Sequence, residues 1–208
     1  MIRLRRVSLI VCGLVLFSAC SNPAADKPKA STSEAAPVSS PVAGGEKYSI
    51  RPDNSKIAFV ASKVTGSHNG SFEKFSGSID SVGQPEKSRV NITIDMSSVT
   101  TDTPKLTEHL KTADFFDVAK YPQATFQSTE IKAGGEKGAT HTVTGNLQLH
   151  GVSKAITFPA TISLTPGVAT VDSTFAINRK DFGINYAGAA DNLIRDDVVL
   201  TLHVRAVK

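Results

Sequence analysis

The chain is poor in the residues on which most catalytic and redox machinery depends. Its 208 residues hold two cysteines, Cys12 and Cys20, and no tryptophan. From residue 21 onward there is no cysteine, which excludes a disulfide and a zinc–thiolate site within that stretch. No G-x-S-x-G, H-E-x-x-H, phosphate-binding glycine loop, C-x-x-C or C-x-x-C-H run occurs. The adjacent carboxylates Asp196 and Asp197 would face opposite ways on a strand and cannot act as a pair. A catalytic role is therefore not expected. Excess charge of one sign is missing as well. The whole chain is +4, but residues 48–208 contain 17 Lys/Arg against 16 Asp/Glu. With no basic stripe to follow a phosphate backbone, nucleic-acid binding is not expected.

What the N-terminus does contain is a secretion pattern. Arg3, Arg5 and Arg6 precede an apolar stretch at residues 7–17, and Ser18 and Ala19 supply small residues before Cys20. The stretch is shorter than the roughly 20 residues that span a bilayer, so residues 1–19 read as a signal peptide. LFSAC is similar to a bacterial lipobox, with Phe17 where Leu is usual, and marks Cys20 for lipidation. Residues 20–47 read as the lipidated cysteine followed by a disordered Ala/Pro/Ser-rich linker. These features place the protein in the bacterial envelope, periplasmic and anchored to a membrane, the outer one favoured.

Residues 48–208 suit one domain. Alternation with period two recurs along them. Ile57, Phe59 and Ala61 share one parity, as do Val90, Ile92 and Ile94. The same holds for Val143, Leu147 and Leu149, for Ile156, Phe158 and Ile162, and for Val198, Leu200, Leu202 and Val204. Turn residues such as Pro52-Asp53-Asn54, Gly134-Gly135 and Pro166-Gly167 separate the runs. The pattern predicts an all-β antiparallel fold of about eight strands, as a sandwich or a barrel. Small residues (Ala58, Ala61, Ala124, Gly145, Ala160) are read among the inward set, and leave either room for a ligand or space for larger neighbours. One helix is expected over residues 103–113, and a short turn over 187–193.

The run at 108–129, EHLKTADFFDVAKYPQATFQST, joins that helix to a strand through Phe115-Phe116 and the break at Tyr121-Pro122. It resembles the signature of the YceI-like lipid-binding family. Six further segments resemble the family in the same order: YSIRPDNSKIAFVASKV, SHNGSFEKFSGSID, RVNITIDMSSVTTD, GNLQLHGVSKAITFPATI, FAINRKDFGI and DDVVLTLHVRA. The resemblance implies a lipocalin-like antiparallel β-barrel with one short helix. It also implies a long-chain lipid as ligand, a polyprenyl chain, an isoprenoid quinone or a fatty chain, and no other cofactor or metal. Phe59, Phe72, Phe75, Ile92, Ile94, Phe115, Phe116, Phe126, Phe158, Phe175 and Phe182 are then candidates for an apolar tunnel, and His68, Asn69 and Arg179 for head-group contacts at its mouth. The alternative reading is a lipid-anchored interaction module with a filled core. Monomer and homodimer both remain open.

Overall fold

The computed structural model describes residues 22–38 and 44–208. The leader and Cys20 lie outside the described residues. The strands are β1 (Ser31–Glu34), β2 (Glu46–Ile50), β3 (Lys56–Lys63), β4 (Gly66–Phe72), β5 (Phe75–Ser81), β6 (Arg89–Asp95) and β7 (Val99–Thr101). Helix α1 (Pro104–Leu110) follows, then β8 (Gln123–Ala133), β9 (His141–Leu149), β10 (Val152–Thr165) and β11 (Val168–Asn178). The chain ends with a two-residue ladder of β12 (Gly188–Ala189) and β13 (Asn192–Leu193), and with β14 (Asp197–Val207).

Three pairs of these strands are halves of longer, bent staves. β2 and β3 both pair antiparallel with β14, interrupted by the turn at residues 51–55. β5 pairs β2 while β4 pairs β3, and β6 pairs β5 while β7 pairs β4. Counted as staves, the order is β2/β3, β4/β5, β6/β7, β8, β9, β10, β11, β14, each beside its successor, with β14 returning to the first. The result is a closed, eight-stranded, antiparallel up-and-down barrel. Closure removes most of the free edge that an open sheet of this length would expose.

The period-two pattern puts one parity inside. β14 turns Val198, Leu200, Leu202 and Val204 to the interior, and β3 turns Ile57, Phe59 and Ala61. Ala58 lies on the opposite parity and faces outward, so it adds no interior room. A bulge at Thr129 in β8 resets the alternation: Ser128 pairs Gly145 and Glu130 pairs Thr144, so Ile131 rather than Glu130 points inward. The buried Ser128 Oγ accepts from Val90 N at 2.8 Å. Pro104 opens α1 where its missing N–H is not needed. The expected turn at 187–193 is the β12–β13 ladder, with Gly188 at φ +85° making the reversal.

The N-terminal segment corrects an expectation. Residues 22–38 are not a free linker but lie on the barrel wall. β1 pairs antiparallel with β10 (Ser31 with Thr157, Glu34 with Lys154), and Ala24 is buried against Val60, Ala176 and Val199 on the outer face. Asn146 acts as a surrogate backbone for this segment: its Nδ2 donates to Ala36 O at 2.7 Å and its Oδ1 accepts from Ala36 N at 2.9 Å. The attachment uses backbone hydrogen bonds and small side chains, which need no apolar periodicity.

Candidate functional site

The barrel encloses a cavity of about 190 Å³. That is many times the roughly 10–15 Å³ that one water molecule requires, so it is more than a packing defect. Among the described residues, every one that lines it is apolar except Arg179. A cavity of this kind stays dry and is suited to hydrocarbon. Its wall runs along β14 from Val198 to Val204, a span of roughly 20 Å at the strand rise per residue.

Nine of the eleven tunnel candidates line it: Phe59, Phe72, Ile92, Ile94, Phe115, Phe116, Phe126, Phe158 and Phe175. Phe75 and Phe182 do not. Phe75 packs among Tyr48, Ile50 and Ile79 at the end of the barrel away from α1, and Phe182 is fully buried beneath the Ile177 and Phe175 wall. Parity places a residue inside but does not say how deep it sits. Further wall residues escape a reading based on phenylalanines: Met96, Leu110, Ile184 and Ile194. They come from the segments between strands, where no alternation points to them.

Two inward glycines shape the wall. A Cβ on Gly70 would lie 2.2 Å from the Phe59 ring, and one on Gly145 would lie 2.4 Å from the Phe126 ring. Each phenylalanine therefore lies flat over a glycine of the neighbouring strand. The space released at Gly145 is filled by an aromatic ring rather than left to a ligand. Ala61 and Ala124 do face the cavity, and Ala160 is buried in the wall beside it.

The head-group candidates have separate fates. Arg179 is only 5% exposed, and its guanidinium is directed to one loop. It donates to Ile184 O at 2.7 Å, Arg195 O at 3.2 Å, Ile194 O at 3.4 Å and Asp196 Oδ1 at 3.2 Å. Burial lowers its pKa and Asp196 opposes the shift, yet a guanidinium stays charged. Arg179 thus ties the 183–196 loop to the end of β11. His68 stands on the inward parity of β4, opposite Ala61, but is not part of the cavity wall. Its Nδ1 lies 2.8 Å from Asp102 Oδ1. Asn69 faces outward, and its backbone N–H donates to Asp102 Oδ2 at 2.8 Å. That N–H, and then His68, hold the Asp102 carboxyl below its usual range.

The α1 end of the barrel is covered by a packed layer. Phe59, Val99, Leu110, Phe115 and Ile184 form one buried cluster there. Over it the rings of His109, Phe115 and Tyr186 meet edge to face, with centroids 5.0 to 5.3 Å apart, and His109 Nε2 lies 2.7 Å from Asp114 Oδ2. Tyr186 is a contributor that the alternation does not reveal, because it sits in the loop after Gly183.

Comparison with known proteins agrees with this architecture. Residues 48–206 match the YceI-like domain. A UPF0312 protein of Pseudomonas putida (strain W619) is 37% identical over 138 residues, covering 62% of this chain and 70% of the relative. The Campylobacter jejuni YCEI protein superposes with a TM-score of 0.59 at 27% identity, over 67% of this chain and 84% of its own. A polyisoprenoid binding domain from Saccharophagus degradans, implicated in plant cell wall breakdown, shares the fold with a TM-score of 0.61 at 22% identity, over 77% of this chain and 97% of its own. The chain belongs to the YceI-like domain family.

Proposed function

We propose that this protein binds a long-chain isoprenoid or related lipid (a polyprenyl chain, a quinone tail or a fatty chain) inside its barrel, and so carries, stores or shields it in the bacterial envelope. The observation that carries the reading is the enclosed cavity of about 190 Å³ with apolar walls. The relation to a polyisoprenoid binding domain supports it. Each buried CH₂ contributes about 0.8 kcal/mol, so a dozen covered carbons supply roughly 10 kcal/mol before the cost of association. Affinity then needs no polar contact. A polar head is left for the rim, where His68 keeps one ring nitrogen outside its contact with Asp102. The walls offer no general acid, base or nucleophile, so the reading is binding without chemistry. In the same proposal Cys20 carries the acyl anchor, which holds the barrel at the membrane that supplies its cargo.

Native mass spectrometry of the protein purified from bacterial envelopes tests both parts. The expected spectrum has an N-terminus at Cys20 with added acyl mass, and a non-covalent adduct of several hundred daltons that extracts as lipid. A reproducibly bare protein that takes up no offered prenol or quinone would favour the filled-core interaction module. A mature N-terminus elsewhere, without acyl mass, would remove the anchor.

A further inference from the structure

The eight staves are not joined equally. β9 pairs β10 at nine positions, from Val152 with Leu149 to Ala160 with His141, and β11 pairs β14 at eleven. Between them, β10 and β11 pair at only five, ending at Thr161 with Asp172. The cause is in the sequence. The carbonyl of Pro159 faces β11, where it accepts from Ser173 Oγ at 2.6 Å. In an extended strand the nitrogen of the same residue faces the same side, and in proline it has no hydrogen to give. The ladder stops there, and toward the α1 end the two strands separate.

Two layers close this seam. One is the N-terminal segment, which lies in the gap between the two strands and is hydrogen-bonded to both. Pro28 O accepts from Ala176 N, and Ala30 N donates to Ala176 O, both at 2.8 Å. β1 then crosses to pair with residues 154–157 of β10. Ala30 reaches through the gap to the cluster that forms the cavity wall. On the inside, Phe158 of β10 and Phe175 of β11 stack across the seam with centroids 4.2 Å apart and planes 9° from parallel. Both line the cavity. The α1 end, by contrast, is sealed by a buried apolar layer whose opening would disrupt the core. At the seam no direct β10–β11 backbone bond has to break, only the strap's own hydrogen bonds to each strand: peeling that strap of small residues and turning two rings exposes the cavity.

We propose that the β10–β11 seam is a lateral portal for a long apolar chain, with residues 24–36 as the strap that fills it and the Phe158–Phe175 stack as its inner gate. This rests on the lipid-binding reading and adds the route by which the ligand passes. The strap precedes the family match, which begins at residue 48, so it is a device of this chain rather than of the matched domain.

A reversible lock tests the portal. Ser33 and Ala155 are direct partners in the β1–β10 ladder. Antiparallel partners have Cα atoms about 4.5–5.5 Å apart, within the roughly 4.4–6.8 Å range of a disulfide. Ser33→Cys and Ala155→Cys are introduced in the full chain carrying Cys12→Ser and Cys20→Ser, so that only this pair can form. Uptake of geranylgeraniol bearing a fluorophore at its alcohol end, and its release to empty vesicles, are then timed. The oxidised protein should load and release at least ten-fold more slowly than the same protein after reduction. Equal rates in the two forms overturn the portal and leave lipid binding standing. Binding in neither form removes the lipid reading and the portal with it. Failure of the pair to oxidise would mean that β1 does not pair with β10, and would overturn the closure by the strap.

Discussion

Phe126→Asp is expected to lose lipid affinity by roughly 100-fold or more while the barrel remains folded. Phe126 projects from β8 into the cavity, 5.8 Å from Phe158, with its ring over Gly145. It is only partly buried, so its replacement is less damaging to the core than that of Phe175, which is 1% exposed. An ionised carboxylate in this wall would face hydrocarbon with no partner. The effective cost of such a charge is several kcal/mol, and about 3 kcal/mol already corresponds to roughly 100-fold in Kd. The side chain can escape by taking a proton, because an apolar site raises a carboxyl pKa. The loss should therefore shrink as pH falls through that raised value. Phe126→Leu separates charge from volume: it stays apolar and should cost roughly ten-fold or less. Undiminished retention in a folded Phe126→Asp protein would remove the tunnel assignment.

Arg179→Ala should weaken the protein rather than its contact with a lipid head. The guanidinium holds the carbonyls of Ile184, Ile194 and Arg195 together with the Asp196 carboxylate. Hydrogen bonds to a charged donor contribute about 1.5–3 kcal/mol each, and their removal leaves partly buried acceptors unsatisfied. Asp196 is 39% exposed on its side chain, so water compensates for part of that bond. A net loss of about 3 kcal/mol lowers Tm by roughly 6–12 °C for a domain of this size. Arg179→Lys should recover little, since one ammonium cannot span the positions a guanidinium fork reaches. A thermal melt of the lipid-free protein reads this directly. An unchanged Tm accompanied by lost affinity would make Arg179 a head-group contact and contradict its role as loop anchor.

The barrel was legible in the sequence wherever a strand kept one face on the interior. Val198 to Val204 and Ile57 to Ala61 read correctly because period two maps directly onto inside and outside. Depth was not legible. Phe75 and Phe182 share the apolar character of Phe126, but which phenylalanine meets the cavity depends on how far along the axis it sits. Small side chains misled for a related reason. Gly145 has no bulk, yet the vacancy belongs to Phe126 of the next strand, a contact fixed by register rather than by either residue alone.

Composition predicts a linker for the N-terminal strap because it measures only what a segment can bury for itself. Residues 28–36 bury little. They attach because Pro159 and the divergence of β10 from β11 leave backbone groups without sheet partners, and Asn146 supplies one more pair. That edge exists only once the barrel has closed. The family resemblance reached the fold through segment order, but it did not extend to these residues. The loop contributors Tyr186 and Ile184 were hidden in the same way, brought over the α1 end by Arg179 and by the ring contacts with His109 and Phe115.

The most direct measurement is a titration of the purified, delipidated protein with linear prenols of increasing length. If the cavity binds hydrocarbon along its axis, each added CH₂ covered by the walls should contribute about 0.8 kcal/mol, roughly four-fold in Kd. Affinity should climb steeply and then level off where the chain outgrows the roughly 15 Å that about 20 Å of tilted strand wall spans along the axis. Affinity that is absent, or that does not change with chain length, would contradict the claim that this barrel is built to hold a long lipid.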